Sequence, residues 1–241
     1  MNNKKLARTQ WSSIVHFITW LLGALFLFIG CTSPRIDREL SDIPVGERFQ
    51  PSNLYKVPAL PDNFKRVAIL PVYIPETIEL DENELDSVVQ AELRHTGRFE
   101  IVEVSPEQMY RIIGISRMSS LNSFPEDLLS YLASVLGADG VLQADLTSYR
   151  PYRPFEIGLR ARLFDLRSNE ALWAVDEVLN AGEKSVYTGS RYYSLGQVHN
   201  KYPFEDSYSA LRSPNRFLAY SAFTLFETLP AYLPEPASAA N

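Results

Sequence analysis

The sequence predicts an α/β domain of the layered, α+β-like type, in which helices cover a mixed sheet of about five strands. First, residues 66–72 form a nearly continuous apolar run, which suits a strand buried on both faces. Second, successive strands between residues 140 and 180 indicate a C-terminal antiparallel meander. Third, helical spacing of apolar residues occurs before and after these strands, so that helices can cover the sheet.

Helix signals are clear at several places. Apolar residues spaced three and four apart predict a helix over 82–96, which Gly97 ends. Ser105 is the expected N-cap of a second helix, because Gln108 lies three residues further on and completes a capping box. Two more helices are predicted at about 125–136 and from 213 to about 229.

The strand signals follow the same order. A short strand is predicted at 99–104, and the three strands of the meander at 140–149, 155–166 and 171–180. The middle strand of the meander alternates, with Arg160 and Arg162 on its outer face, until the parity breaks at Phe164 and predicts a β-bulge or the end of pairing. In the turn that follows, Asn169 is a residue that tolerates a left-handed backbone.

Composition and charge restrict the possible functions. With 46% hydrophobic and 22% charged residues, the 241-residue chain is of the globular kind and is neither fibrous nor disordered. The formal net charge of −6 argues against nucleic acid as a partner, since phosphate binding needs a basic face. The single cysteine excludes a disulfide framework and a cysteine-built metal site, and we expect no cofactor.

The first 30 residues have the layout of a secretory signal peptide. A basic start precedes an apolar run over 11–29, and no acidic residue occurs before Cys31. The run is also long enough to span a bilayer, so an uncleaved membrane helix is the alternative.

The residues Phe28-Ile29-Gly30-Cys31 resemble the lipobox of bacterial lipoproteins, although that family usually has Leu and a small residue at the first two positions. The resemblance implies cleavage between Gly30 and Cys31, lipids on Cys31, and a membrane partner reached through those lipids. Thr32 stands where lipoproteins of the inner membrane often carry Asp, which implies an outer-membrane protein facing the periplasm. Without residues 1–30 the chain keeps 20 basic and 29 acidic residues, a net charge of −9, so the lipid must do the anchoring.

The remaining chain divides into three parts. Residues 31–64 contain several prolines and show no regular hydropathy period, which predicts a tether. As a random coil this tether would reach on the order of 35 Å. Residues 65–230 are the single α/β domain, and residues 231–241 are a flexible tail. We expect the tether to hold the domain at a distance from its membrane.

Four segments of the domain resemble a superfamily of bacterial envelope lipoproteins. The matching segments are 66–71, 97–103, 136–142 and 170–173. The superfamily includes the curli-secretion lipoprotein, the activator of penicillin-binding proteins and the N-terminal domain of the Tol-system β-propeller protein. The resemblance implies the fold and an envelope setting, and its motifs carry no catalytic residues.

Two aromatic segments are candidate contact surfaces for an envelope protein partner. The tip between two strands contains Tyr149, Arg150, Tyr152 and Arg153, which form either a rigid hairpin connection or a docking rim. The second segment, residues 183–212, has no clean period, and is either a long loop packed over the sheet or a contact surface. Its candidate residues are Tyr192, Tyr193 and Tyr202.

The sequence contains no recognised catalytic motif, so we expect no enzyme and no metal site. Glu92 and His95 lie three residues apart on a predicted helix, where a solvated helix face is favoured over a shared metal. The favoured interpretation is a non-enzymatic, lipid-anchored protein that binds or helps to assemble another envelope component. A second copy of the chain, forming a homo-oligomer, is one of the partners considered. The alternatives are a secretion-channel component of the curli type, which needs alternating segments that residues 183–212 lack, and a cell-wall or glycan hydrolase.

Overall fold

Six strands form one open, mixed sheet in the order β1-β6-β5-β4-β2-β3 in a computed structural model, which describes residues 44–198 and 206–233. The strands are β1 (Leu54–Lys56), β2 (Arg66–Ile69), β3 (Glu100–Glu103), β4 (Gly140–Arg150), β5 (Glu156–Asp165) and β6 (Glu170–Asn180). Strand β2 runs parallel to β3 and β4, whereas β4, β5, β6 and β1 pair antiparallel. The predicted fold class is confirmed, with one strand more than the five expected.

Within the described residues, five α-helices cover the two faces of this sheet. They are α1 (Glu82–His95), α2 (Pro106–Ile113), α3 (Glu126–Ser134), α4 (Lys184–Tyr193) and α5 (Pro214–Phe226). Helices α1, α4 and α5 bury their apolar residues in one core on the first face, while α2 and α3 bury theirs in a second core on the other face. In the part of the chain that the structure describes, no helix has the length and apolarity needed to cross a membrane.

The apolar run of β2 is continuous because both of its faces are covered. Val67 and Ile69 point into the first core, and Ala68 and Leu70 into the second. Each of the four is at most 1% exposed. The expected burial on both faces is therefore confirmed.

Strand β5 alternates as predicted and is interrupted where the parity breaks. Its register with β6 shifts between Leu163 and Phe164, which is the expected bulge. On the second face Arg160 bonds Asp176 of β6 at 2.8 Å, and the guanidinium of Arg162 lies 4.9 Å from the centre of a phenylalanine ring. Asn169 has a φ of 59°, as predicted for the turn to β6.

Residues 44–64, here called the N-terminal belt, do not extend away from the domain as the tether prediction required. Their strand β1 pairs with β6 at the edge of the sheet, and Glu177 of β6 accepts a hydrogen bond from the Asn53 amide at 2.7 Å. Leu60 and Phe64 are at most 2% exposed. The prolines hide this packing from the sequence because they remove any hydropathy period, yet the three residues of β1 between them are enough for an edge strand.

The start of the predicted tail also packs on the belt. The Leu60 amide donates to the Ala231 carbonyl at 2.9 Å, and the Tyr232 hydroxyl donates to the Phe64 carbonyl. The packed domain therefore includes residues 44–64 and continues to at least residue 233. The predicted leader, Cys31 and residues 234–241 lie outside the described residues.

A largely buried ion pair holds the loop between α2 and α3. Arg117 lies 2.8 Å from Asp86 of α1, and the two side chains are only 10% and 12% exposed. The same guanidinium donates to the Val72 carbonyl at 2.6 Å, while Asp86 accepts from the Val72 amide at 2.8 Å. One arginine thus joins the loop, helix α1 and the chain that leaves β2.

We predict that Arg117→Met lowers the free energy of unfolding by about 3 kcal/mol, because Asp86 would stay buried without its cation. Chemical denaturation of the purified protein measures this change. Arg111→Met, at an exposed position of α2, is the control and should change the free energy by less than about 0.5 kcal/mol. Equal effects of the two substitutions would contradict the assignment of a structural role to the ion pair.

Candidate partner-binding surface

The connection between β4 and β5 is a closed, rigid tip. Arg150 donates from Nε to the Pro154 carbonyl at 2.8 Å and forms an ion pair with Glu156 at 3.2 Å. Tyr149 is half-buried against the first core, and burial, with a smaller effect of the Glu84 carboxylate, raises the pKa of its phenol. These two candidate residues therefore build the tip.

The two residues at the end of the tip reach outward. The side chain of Tyr152 is 68% exposed. Arg153 donates from Nη2 to the Leu211 carbonyl at 2.9 Å, and its guanidinium lies 6.0 Å from the centre of the Phe155 ring. The tip is thereby attached to the chain that precedes α5, so the two candidate segments of the sequence meet at one place.

Aromatic rings and an arginine from the second segment lie beside this contact. The guanidinium of Arg191 on α4 is 4.4 Å from the centre of the Tyr208 ring and 5.9 Å from that of Tyr187. The two rings are 6.4 Å apart and are partly exposed. Such stacking fixes the side chains before any partner binds, which lowers the entropy lost on association.

Together these side chains form one surface, which we call the arginine–tyrosine surface: Tyr152, Arg153, Tyr187, Arg191 and Tyr208. A cavity of about 680 Å³ is lined by Arg153, Tyr187 and Tyr208 and by neighbouring residues. A cavity of this size is of the order found at binding sites. Tyrosine and arginine are also the residue types enriched at the energetic centres of protein interfaces.

The arginines at and beside this surface differ in their described partners. Arg150 is paired with Glu156, and Arg212 lies 2.6 Å from Asp206. The described partners of Arg153, in contrast, are the Leu211 carbonyl and an aromatic ring, both uncharged. Its guanidinium is exposed, so its charge is available to an acidic group of a partner.

Helix α4 carries Tyr187 and Arg191 of this surface, and it was not predicted from the sequence. Its buried positions include Thr188, Gly189 and Ser190, and Ser194 is buried just beyond its end. Because the buried face carries small and polar residues, it lacks the stripe of large apolar side chains by which a helix is usually recognised. The signal that could have revealed the helix is the spacing of Val186, Ser190 and Tyr193 on one face.

The small residues let α4 approach α5 closely. A Cβ atom at Gly189 would collide with the hydroxyl of Tyr220 on α5. The Ser194 hydroxyl donates to the Ser190 carbonyl at 2.9 Å and accepts from the Ala210 amide at 2.9 Å. The position of α4 is therefore set by close packing and by local hydrogen bonds.

Tyr193 and Glu92 are buried together, which corrects the expectation for the Glu92–His95 pair. The Tyr193 hydroxyl donates to Glu92 at 3.0 Å, and the imidazole of His95 lies 3.2 Å from the other carboxylate oxygen. Glu92 is only 5% exposed and is covered by α4, whereas the side chain of His95 is 51% exposed, so the expected solvated position holds for the histidine alone. Tyr193, a candidate contact residue, is itself 8% exposed and belongs to the core.

The remaining candidates lie elsewhere. Tyr192 lies under the belt, with the Arg48 guanidinium 5.4 Å from the centre of its ring. Tyr202 lies outside the described residues. Within residues 44–198 and 206–233 no group of three or more His, Cys, Asp or Glu side chains could hold a metal ion.

No family model matches the chain, and no curated protein matches it. Three solved structures show what it is similar to. The PelC dodecamer from Paraburkholderia phytofirmans is 16% identical with a TM-score of 0.44, over 75% of this chain and 96% of that chain. Lipoprotein GNA1162 from Neisseria meningitidis is 17% identical with a TM-score of 0.39, over 56% and 99%. The LpoB C-terminal domain from Salmonella enterica is 19% identical with a TM-score of 0.36, over 48% and 82%.

One of these three neighbours, GNA1162, is described as a lipoprotein. The likeness is one of fold at low sequence identity, so no assembly and no partner is carried over from them to this chain.

We predict that Gly189→Ala destabilises the protein by about 1–3 kcal/mol, because the added methyl group would press on the buried ring of Tyr220. Thermal or chemical denaturation measures the loss. Gly196→Ala is the matched control, since an added Cβ there meets nothing within 4 Å. If the two variants were equally stable, close approach of α4 to α5 would not determine the fold of this region.

We predict that the protein loses stability at alkaline pH, because the phenols of Tyr193 and Tyr220 are buried. Burial raises the pKa of Tyr220 to about 12, and burial together with the Glu92 carboxylate also raises the pKa of Tyr193. An unfolded tyrosine ionises near pH 10, so above that pH the unfolded chain releases protons that the folded chain retains. The contribution of the protonated, buried phenols to the free energy of unfolding is complete below about pH 10 and is lost as the pH rises toward 12.

Denaturation in urea at pH 9 to 11.5 measures this dependence. Tyr220→Phe removes one of the two phenols, so the free energy of unfolding should fall less steeply with pH in the variant than in the parent. If the free energy of unfolding fell equally steeply with pH in both proteins, ionisation of Tyr220 would not contribute to the loss of stability.

Proposed function

We propose that this chain is a non-enzymatic, lipid-anchored protein of the bacterial envelope, which binds or helps to assemble another envelope component through its arginine–tyrosine surface. The observation that carries the proposal is the contact between Arg153 and the Leu211 carbonyl. This contact joins the tip to the second aromatic segment, so Tyr152, Tyr208 and an arginine whose described partners are uncharged are presented together.

The proposed location follows from the N-terminal sequence. Cleavage before Cys31 and acylation of that residue would anchor the chain, most simply in the outer membrane facing the periplasm. Several acyl chains, each CH₂ contributing about 0.8 kcal/mol on insertion, suffice for stable anchoring. The acidic chain makes nucleic acid an unsuitable partner.

The two alternative functions receive less support. A secretion channel of the curli type needs long alternating segments, and in the described part of residues 183–212 the chain forms α4 and short helical turns. A hydrolase needs a carboxylate pair free to react. In the described chain Asp86 is bound to Arg117, Glu92 to Tyr193, and Asp145 to Ser119 and Ser120.

Photo-crosslinking in intact cells tests the proposal. A photoreactive amino acid replaces Tyr152 in the full-length chain, and a second strain carries it at Tyr110, which is 63% exposed on α2. We expect a discrete protein adduct from position 152 and none of the same mass from position 110. No adduct from position 152, or the same adduct from both positions, would contradict binding through this surface.

Charge reversal provides a second readout of the same contact. With the probe at position 152, Arg153→Glu should reduce the adduct yield about tenfold or more, because the residue lies at the centre of the surface. Arg111→Glu, exposed on α2, is the control and should leave the yield unchanged. Homo-oligomerisation is tested in the same experiment, since an adduct of twice the chain mass would identify a second copy as the partner.

A further inference from the structure

The cavity of about 680 Å³ beside the tip reaches down to the apolar core of the first face. Its floor includes Phe155, which is only 4% exposed, together with the partly buried Leu211 and Ala181. All three residues belong to the first core or pack against it. The floor is therefore a continuation of the core surface, and an apolar group that covers it is favoured over water.

Two aromatic rings line the same cavity. The centres of the Tyr187 and Tyr208 rings are 6.4 Å apart, and the ring planes are inclined by 59°. Both side chains are partly exposed, at 37% and 41%, so their rings offer apolar surface to a ligand. A flat or extended apolar group in the cavity would contact these rings as well as the floor, and most of its surface would leave water.

The charged groups at the cavity differ in how far they are already paired. Asp206 is the carboxylate among the described lining residues, and Arg212 lies 2.6 Å from it. Arg153 also lines the cavity, but its described partners are the Leu211 carbonyl and the Phe155 ring. A ligand therefore meets a guanidinium without a described carboxylate partner, whereas the carboxylate is occupied. These charges favour a hydrogen-bond-accepting or anionic group on the ligand over an ammonium group.

Small-molecule sites in proteins have this composition: a largely apolar lining, a few convergent polar groups and a volume of about 300–1,000 Å³. We infer that the cavity binds an amphipathic small molecule, whose apolar body packs on Phe155 and the two tyrosine rings and whose accepting or anionic end faces Arg153. This inference goes beyond the proposed function and does not require it, because it depends on the cavity and not on a protein partner.

Two fluorescent probes that differ in one group test the inference. Phenylnaphthylamine is an uncharged apolar molecule, and anilinonaphthalene sulfonate has the same rings with a sulfonate added. The purified chain is used in its proposed mature form, residues 31–241, with Cys31→Ser so that no acyl chain competes for the cavity. We expect saturable fluorescence enhancement with both probes, and about threefold tighter binding of the sulfonate because the exposed guanidinium of Arg153 attracts it. Arg153→Gln should make the two affinities equal.

Filling the cavity supplies the second readout. Ala181→Trp should weaken the binding of both probes about tenfold or more, because the indole takes the place of the apolar body. Ala174→Trp is the matched control in a separate groove, which Arg160 and Asp176 also line, and it should change neither affinity. Thermal denaturation checks that both variants are folded. In the parent chain, which needs no substitution in the cavity, the probes should shift the amide NMR resonances of Ala181 and Leu211 but not that of Ala174.

Several results would overturn the inference. They are the absence of saturable binding of either probe, equal effects of Ala181→Trp and Ala174→Trp, and resonance shifts at Ala174 in place of Ala181. Tighter binding of the uncharged probe, or a preference for the sulfonate that persists in Arg153→Gln, would overturn the inferred polar end of the ligand. None of these results bears on the proposed function, which the crosslinking experiment tests separately with a protein partner.

Discussion

The close packing of α4 against α5 is the contact on which the candidate site depends. Gly189 leaves room for the buried hydroxyl of Tyr220, and at the end of the same helix Tyr193 donates to the buried carboxylate of Glu92 on α1. Both contacts are possible only because the buried face of α4 is small and polar. They place Tyr187 and Arg191 beside the tip of the β4–β5 hairpin, and they place the outer side of α4 under the N-terminal belt.

The N-terminal belt covers part of the edge of the sheet. An unpaired strand edge exposes amide and carbonyl groups that can join another chain, and β1 covers part of β6 with only three residues. The carboxylate of Glu177 helps to hold the preceding residues by accepting the Asn53 amide. The segment that covers the edge also takes up most of residues 31–64, which the sequence predicted to be a tether.

Charge is distributed unevenly over this acidic protein. Several arginines are used internally: Arg117 neutralises the largely buried Asp86, and Arg160 bonds Asp176 on the second face of the sheet. Such partly or largely buried pairs position secondary structure elements and cost much to break. Arg153 differs because its described partners are a carbonyl group and an aromatic ring. They orient the guanidinium without neutralising it, which is the arrangement expected of a residue that meets a charged partner.

The sequence by itself determined the features of the fold that depend on neighbouring residues, such as helix caps, turns and bulges. The capping box at Ser105, the left-handed Asn169 and the bulge at Phe164 are all found where short-range backbone chemistry predicted them. The continuous apolar run of β2 likewise predicted that this strand is buried on both faces. The N-terminal sequence also suggested the anchor at Cys31, which lies outside the described residues.

The tertiary structure alone decided the site, because each of its contacts joins residues that are distant in sequence. The belt pairs with a strand about 120 residues away, and α4 is held by contacts to α5 and α1 although few of its buried residues are large and apolar. Glu92 changed from an expected surface group to a buried hydrogen-bond acceptor for the same reason. Long-range packing has no local signature, so it moved Tyr193 into the core and brought Arg153 to Leu211, where the two aromatic segments become one surface.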